Sequence, residues 1–213
     1  MSVAIIDYGS GNLRSAQKAF EAVAPSVGGS GPIEVTADAE AVQRADRIVL
    51  PGVGAFADCL AGLSAVPGML DVLEDRVRRA AVPFMGICVG MQLMATVGRE
   101  HGDHPGLNWL PGEVVGIEPT GERRIPHMGW NKLVREGKSH PVFDGLGEEP
   151  HAYFVHGYSL RPADEGDRAL SVDYEGPLVA AVARDNLVGT QFHPEKSQAV
   201  GQKIIANFLR WTP

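Results

Sequence analysis

Only two cysteines, Cys59 and Cys88, occur in the 213 residues. That is too few for a disulfide framework, so their importance must lie in thiol chemistry or packing. Basic residues are outnumbered, with 19 Lys and Arg against 26 Asp and Glu and a formal charge of -7. Such a balance supplies no broad positive surface for a phosphate backbone and argues against nucleic acid as a partner. No apolar run approaches the length needed to span a bilayer, and Met1–Asp7 reads as a buried first strand rather than a signal peptide. A cytoplasmic location, with no membrane partner, is the expectation. Internal repeats and low-complexity tracts are missing too. No His/Cys/Asp/Glu cluster has metal-ligand spacing, so neither a metal nor a cofactor is expected.

What is present is an ordinary globular composition, 44% hydrophobic and 21% charged. The length is one that a single domain over 1–213 can fill while burying a sizeable core. Apolar runs ending in glycine or proline recur at 3–9, 33–38, 47–54 and 82–90, with helical patterns at 12–24, 55–63, 69–80 and 91–97. This alternation predicts an α/β fold: a central, mostly parallel sheet with helices on both faces. The second half changes character. Segments at 112–119, 123–136, 152–160, 169–176, 178–185 and 187–195 are separated by turn residues and read as added antiparallel hairpins. An amphipathic stretch, 198–211, predicts a closing helix, while 25–32 and 99–106 read as loops.

The most informative segment is Phe84-Met-Gly-Ile-Cys88-Val-Gly90-Met-Gln92, an apolar strand that meets G-x-C-x-G and runs straight into a helical pattern. This is a nucleophile elbow with sulfur in place of oxygen. Gly86 and Gly90 remove side chains that would clash at the sharp turn. Cys88 then sits at a helix N-terminus, where free N–H groups and the helix dipole favour thiolate, and the Val89 amide points where an oxyanion would form. An isolated cysteine would be better read as core. Cys59 is, because it lies in an apolar helical stripe without an elbow or a paired base.

A nucleophilic thiol needs a base. Of seven histidines, His193 follows a strand-like run, 187–192, and precedes Pro194 and Glu195. A carboxylate two residues on can lie on the same side of an extended backbone and orient the imidazole. His101, His104, His127, His140 and His151 lie among turn residues and read as surface. His156 is open between a site-lining role and a satisfied core histidine. Pro51-Gly52-Val53-Gly54 follows the third strand, whose carboxyl end should lie beside the elbow. Val53 N–H is therefore a candidate second oxyanion donor beside Val89 N–H.

Gly86–Gln92 together with Gln191-Phe-His-Pro-Glu195 resembles the paired signature of class I glutamine amidotransferases, whose flavodoxin-like α/β fold is then expected. The resemblance implies that the cysteine attacks the glutamine side-chain amide, ammonia leaves and water cleaves the thioester. It also implies that Gly52, Gln92, Glu100, Gly157 and Tyr158 hold the glutamine. Within the family the chain resembles the glutaminase subunits of imidazole glycerol phosphate synthase, which serve histidine biosynthesis. Asp7–Ser15, Pro51–Phe56, Pro126–Asn131, Tyr153–His156 and His193–Gln198 all match. Departures are Gly157, where a hydroxyl-bearing residue is expected, and an extended 25–32 loop.

That resemblance implies a heterodimer with a (β/α)8-barrel cyclase subunit, to which ammonia passes before water protonates it. Asn12, Trp130, Asn131 and Lys196 are carried over as candidates for the interface and ammonia route. Trp130 could equally be a core aromatic and Lys196 a solvated charge. The alternatives are the glutaminase subunit of another amidotransferase, serving pyridoxal phosphate or anthranilate synthesis, a stand-alone cysteine hydrolase, and a non-catalytic binding module.

Overall fold

The computed structural model describes residues 1–29, 31–121, 123–137 and 139–213. Ser30, in the loop expected over 25–32, lies outside them; the part before it opens as a 3-10 turn, Ala24–Val27, closed by left-handed Gly28. Four strands of the first half, β1 Val3–Ile6, β2 Ile33–Thr36, β3 Arg47–Gly52 and β4 Phe84–Cys88, pair in parallel in the order β2-β1-β3-β4. Helices α1 Leu13–Val23, α2 Ala39–Arg44, α3 Phe56–Ala65 and α4 Met69–Leu73 connect them. The order reverses at β1, so right-handed crossovers send α1 to one face and the later helices to the other. The short α2, absent from the sequence expectation, is capped by the Asp38 carboxylate, which accepts from Glu40 N–H at 2.9 Å.

Two expected helices come out differently. The 69–80 helix is α4 followed by a wider π-helical turn over Glu74–Arg79, closed by Ala80 N–H on the Asp75 carbonyl. The 91–97 helix starts earlier and stops sooner, as α5 Val89–Gln92. The carbonyls of Leu93, Met94, Ala95 and Thr96 accept instead from the amides of 106–110, so the helical ladder ends there. The chain continues as β5 Val97–Gly98, β6 His104–Pro105 and β7 Gly112–Gly116, which with β10 Tyr158–Pro162 make a small second sheet.

The remaining strands among the described residues, β8 His127–Arg135, β9 His151–His156, β11 Arg168–Asp173, β12 Pro177–Arg184 and β13 Leu187–Thr190, extend the main sheet to nine. Most of the expected hairpin segments are thus continuous with the parallel half, while those that form β7 and β10 belong to the second sheet. β13 runs parallel to β4, and β12, β11, β8 and β9 follow antiparallel. The closing helix α6 Gln198–Arg210 packs on α1, with Phe20 and Phe208 edge to face at 6.2 Å between ring centroids. One hydrophobic cluster runs through both halves and places β4, buried at every residue, at its centre. Among the described residues no single helix is long and apolar enough to cross a membrane.

Candidate active site

Cys88 ends β4 with φ 56 and ψ -114, a conformation that costs a non-glycine residue energy and that persists because its surroundings enforce it. The glycines on either side make the enforcement possible. A Cβ on Gly90 would lie 1.8 Å from the Leu50 carbonyl oxygen, and one on Gly86 would lie 2.6 Å from the Gly90 oxygen. Bare backbone lets α5 fold back over the ends of β3 and β4. Because α5 is a single turn, Cys88 draws on the adjacent N–H groups rather than on a long helix dipole.

The thiol opens on a cavity of about 310 Å³ lined by Val89, Gln92, Glu100, His156, Tyr158 and His193, with Val53 and Gly157 at its wall. His193 arrives from the neighbouring strand. β13 pairs Gly189 with Gly86 and Thr190 with Ile87, so the residues that follow emerge beside Cys88. His193 Nδ1 meets Glu195 Oε1 at 2.8 Å, both side chains 3% exposed. The backbone between them is a 3-10 turn, Pro194–Lys196, rather than the extended run expected, and this turn brings the carboxylate back under the ring. Ser197 Oγ fixes it by donating to the His193 carbonyl at 2.6 Å. Burial pulls the imidazole down, but the Cys88 sulfur and Glu195 outweigh it and push His193 up to about 9. Its Nε2 is buried without a hydrogen-bond partner among the described residues.

Behind the cavity runs a set of polar side chains. Gln92 Nε2 donates to the Tyr158 carbonyl at 3.2 Å and to Gln191 Oε1 at 3.1 Å. The same carbonyl lies 2.8 Å from His156 Nδ1, whose Nε2 meets His127 Nδ1 at 2.9 Å. His127, expected on the surface, is 2% exposed and stacks on Tyr174 and Phe154. Pairing of β8 with β9 sets it opposite His156. His156 is therefore both buried and site-lining. Burial pushes each imidazole down to about 4, so the pair is neutral at pH 7.

Other expected residues divide. Glu100 lines the cavity and its Oε2 accepts from Phe56 N–H at 2.7 Å, capping α3. Gly157 and Tyr158 form the wall. Gly52 does not line it; a Cβ there would lie 2.7 Å from Tyr8 Oη and 2.8 Å from Gly90 N, so its bareness serves the approach of β3 to the elbow. Val53 N–H donates to Ser10 Oγ at 3.0 Å, and Ser10 Oγ donates back to the Val53 carbonyl at 2.6 Å. That amide is thus engaged by Ser10 in this structure. Cys59 is buried, its thiol pushed up by burial, and it touches the same Val53 carbonyl.

Residues 4–211 match the family model described as glutamine amidotransferase class-I. The chain belongs to that family. Imidazole glycerol phosphate synthase subunit HisH of Rhodospirillum rubrum is 56% identical over all of both chains. The subunit of the same name from Mesorhizobium japonicum is 57% identical, again over both whole lengths. A solved glutamine amidotransferase superposes with a TM-score of 0.71 at 19% identity, over 97% of this chain and 96% of that one. Another, from Thermotoga maritima, gives 0.64 at 16%, over 98% and 82%. At these identities the two structures show the shared fold alone.

Three residues of this class-I amidotransferase site escaped the sequence: Ser10, His127 and Gln191. Only Gln191 carried a signal, as the first residue of the Gln191–Glu195 segment that supplies the base. The carried-over interface positions lie outside the cavity. Trp130 is 47% exposed on β8, with Met128 and Val134 on the same face. Lys196 is exposed over the Tyr153 ring, and Asn131 Nδ2 donates to the Asp173 carbonyl. Asn12 opens α1, its carbonyl accepting from Ala16 N–H.

Proposed function

We propose that this class-I amidotransferase releases ammonia from glutamine through a Cys88 thioester and delivers it to a separate synthase subunit. The observation that carries the reading is the strained cysteine at the floor of a cavity with the His193–Glu195 pair on the turn that follows the adjacent strand. The Cys88 sulfur forms a bond to the glutamine amide carbon, and the carbonyl electrons move to oxygen. His193 Nε2 passes its proton to the nitrogen as the C–N bond breaks and ammonia leaves. Water, deprotonated by His193, then attacks the thioester carbon; the C–S bond breaks and glutamate is freed. Glu195 holds the ring in the tautomer that presents Nε2. Gln92, Glu100, Gly157, Tyr158 and the backbone near Gly52 hold the amino-acid end of glutamine.

Val89 N–H, at the head of α5, receives the oxyanion. Val53 N–H is the second donor once its hydrogen bond to Ser10 is exchanged, which makes a low rate the expectation for the chain alone. The relatives are named as subunits of imidazole glycerol phosphate synthase, and the partner that fits is that enzyme's (β/α)8-barrel cyclase, in the cytoplasm and in histidine biosynthesis. The face of β8 bearing Met128, Trp130 and Val134 supplies the apolar docking surface, with Asn12, Asn131 and Lys196 at the ammonia route. In this reading 1–213 acts as one amidotransferase domain.

Glutamate release from glutamine, measured with and without the cyclase and its nucleotide ligand and with Cys88→Ala as the blank, tests the proposal. Low release that rises strongly with partner and ligand is expected. High release unchanged by the cyclase would refute the pairing, and release by Cys88→Ala would refute the chemistry.

A further inference from the structure

Gln191 is fully buried one residue beyond β13, at the register position beside Cys88. Its Nε2 lies 3.7 Å from the Cys88 sulfur, and its backbone N–H is held by the Ala180 carbonyl at 2.8 Å. The sense of its amide is dictated from outside. A peptide carbonyl only accepts, so the Gln92 atom facing the Tyr158 oxygen must be the NH2 group. That same NH2 faces Gln191, whose near atom must therefore be oxygen. The far atom, the one against sulfur, is then the NH2. The Tyr158 carbonyl thus fixes the polarity of a two-amide relay that ends in an N–H donor aimed at the nucleophile.

We propose that Gln191 holds the Cys88 sulfur in its attacking position and stabilises its anionic form through this oriented N–H. A hydrogen bond from a neutral amide strengthens when its acceptor carries charge, so the contact favours thiolate over thiol. It weakens again once the sulfur is a thioester, and so leaves turnover unobstructed. The inference rests on Cys88 being the nucleophile but not on the identity of its substrate. Other titratable groups around the sulfur are His193 from the turn after β13, Tyr8 and Cys59 from behind the 51–54 loop, and Glu100, His156 and Tyr158 across the cavity. Each of them is retained in the Gln191→Met variant, which introduces no charge.

The test is the pH profile of Cys88 alkylation by iodoacetamide, in the whole chain with and without its partner, beside Cys88→Ala as the blank. Gln191→Met keeps length and burial but has no N–H, and Gln191→Glu adds a carboxylate. Alkylation at pH 7 should slow about tenfold in the first variant and further in the second. Rates at pH 10, above the ordinary range of a cysteine thiol, should match the parent. A folded Gln191→Met variant with the parent's profile overturns the proposal, because a merely structural amide would alter melting without moving that profile. If Gln191→Met does not fold, Gln191→Glu decides on the same reading. In the unmutated protein the Gln191 side-chain amide resonances should shift with the Cys88 titration; resonances that stay fixed also overturn it. A shifted alkylation profile in a protein that releases no glutamate would leave Gln191 its role and refute the glutaminase reading instead.

Discussion

Acid should unfold this protein earlier than its carboxylates alone require, and the reason is the buried His127–His156 pair. Both imidazoles sit near 4 in the folded chain, pushed down by burial, against about 6.5 when unfolded. Because the folded values are the lower ones, the unfolded chain takes up protons first as pH falls. The pair's contribution is therefore complete above about pH 6.5 and is lost between 6.5 and 4. Between pH 7 and 5 the linkage relation gives about 1.8 kcal/mol for one such imidazole. The two share a hydrogen bond and titrate together, so about 2 to 3.5 kcal/mol is expected for the pair. His193 acts in the opposite sense: its value is raised to about 9, so its contribution is full below about 6.5 and fades as pH rises through 9. It offsets about 0.8 kcal/mol of the loss over the same interval. Urea unfolding of the parent and of a His127→Leu/His156→Leu double mutant at pH 7 and pH 5 separates these effects, since His193 is common to both. Over that interval the parent's loss should exceed the double mutant's by about 2 kcal/mol or more. Equal losses would refute the placement of a neutral histidine pair in the core.

Glu195→Gln keeps the shape of the orienting group but removes the charge 2.8 Å from His193 Nδ1; glutamine turnover should fall by about 10² to 10⁴ with little change in melting. Gly90→Ala drives a methyl group to 1.8 Å from the Leu50 oxygen and should cost about 3 kcal/mol or more in urea unfolding. Gly54→Ala meets nothing within 4 Å but must hold φ +99, so about 1 to 3 kcal/mol of strain is expected with the fold kept. If the 53–54 loop supplies an oxyanion donor, turnover per folded Gly54→Ala molecule falls as well. Trp130→Ala should abolish the stimulation of glutamate release by the cyclase while leaving the chain's own rate within about twofold, because the side chain is exposed and does not line the cavity.

The elbow was legible because its chemistry is local: Gly86, Cys88 and Gly90 fall within five residues, and each acts on a neighbour in sequence or on the adjacent strand. His193 and Glu195 were legible for the same reason, although the turn that joins them was not. The helix expected over 91–97 fails through partners ten to sixteen residues away, the amides of 106–110, which no helical pattern reveals. His127 looked like a turn residue. Its burial follows from standing opposite His156 across two antiparallel strands, and the face a strand residue takes is fixed only when that register is known. Gln191 has no distinctive chemistry as a residue type; its place beside the sulfur comes from β13 lying next to β4.

The pairing of β13 with β4 also sets when the site comes into being. The nucleophile is made early and its base late, just past the last strand of the sheet, with 104 residues between Cys88 and His193. Until that strand inserts between β4 and β12, the thiol has neither the His193 imidazole nor the Gln191 amide beside it. A chain still emerging from the ribosome, or one clipped before residue 187, carries the cysteine but no means of using it. Glutamine is thereby spared from every incomplete copy of the enzyme.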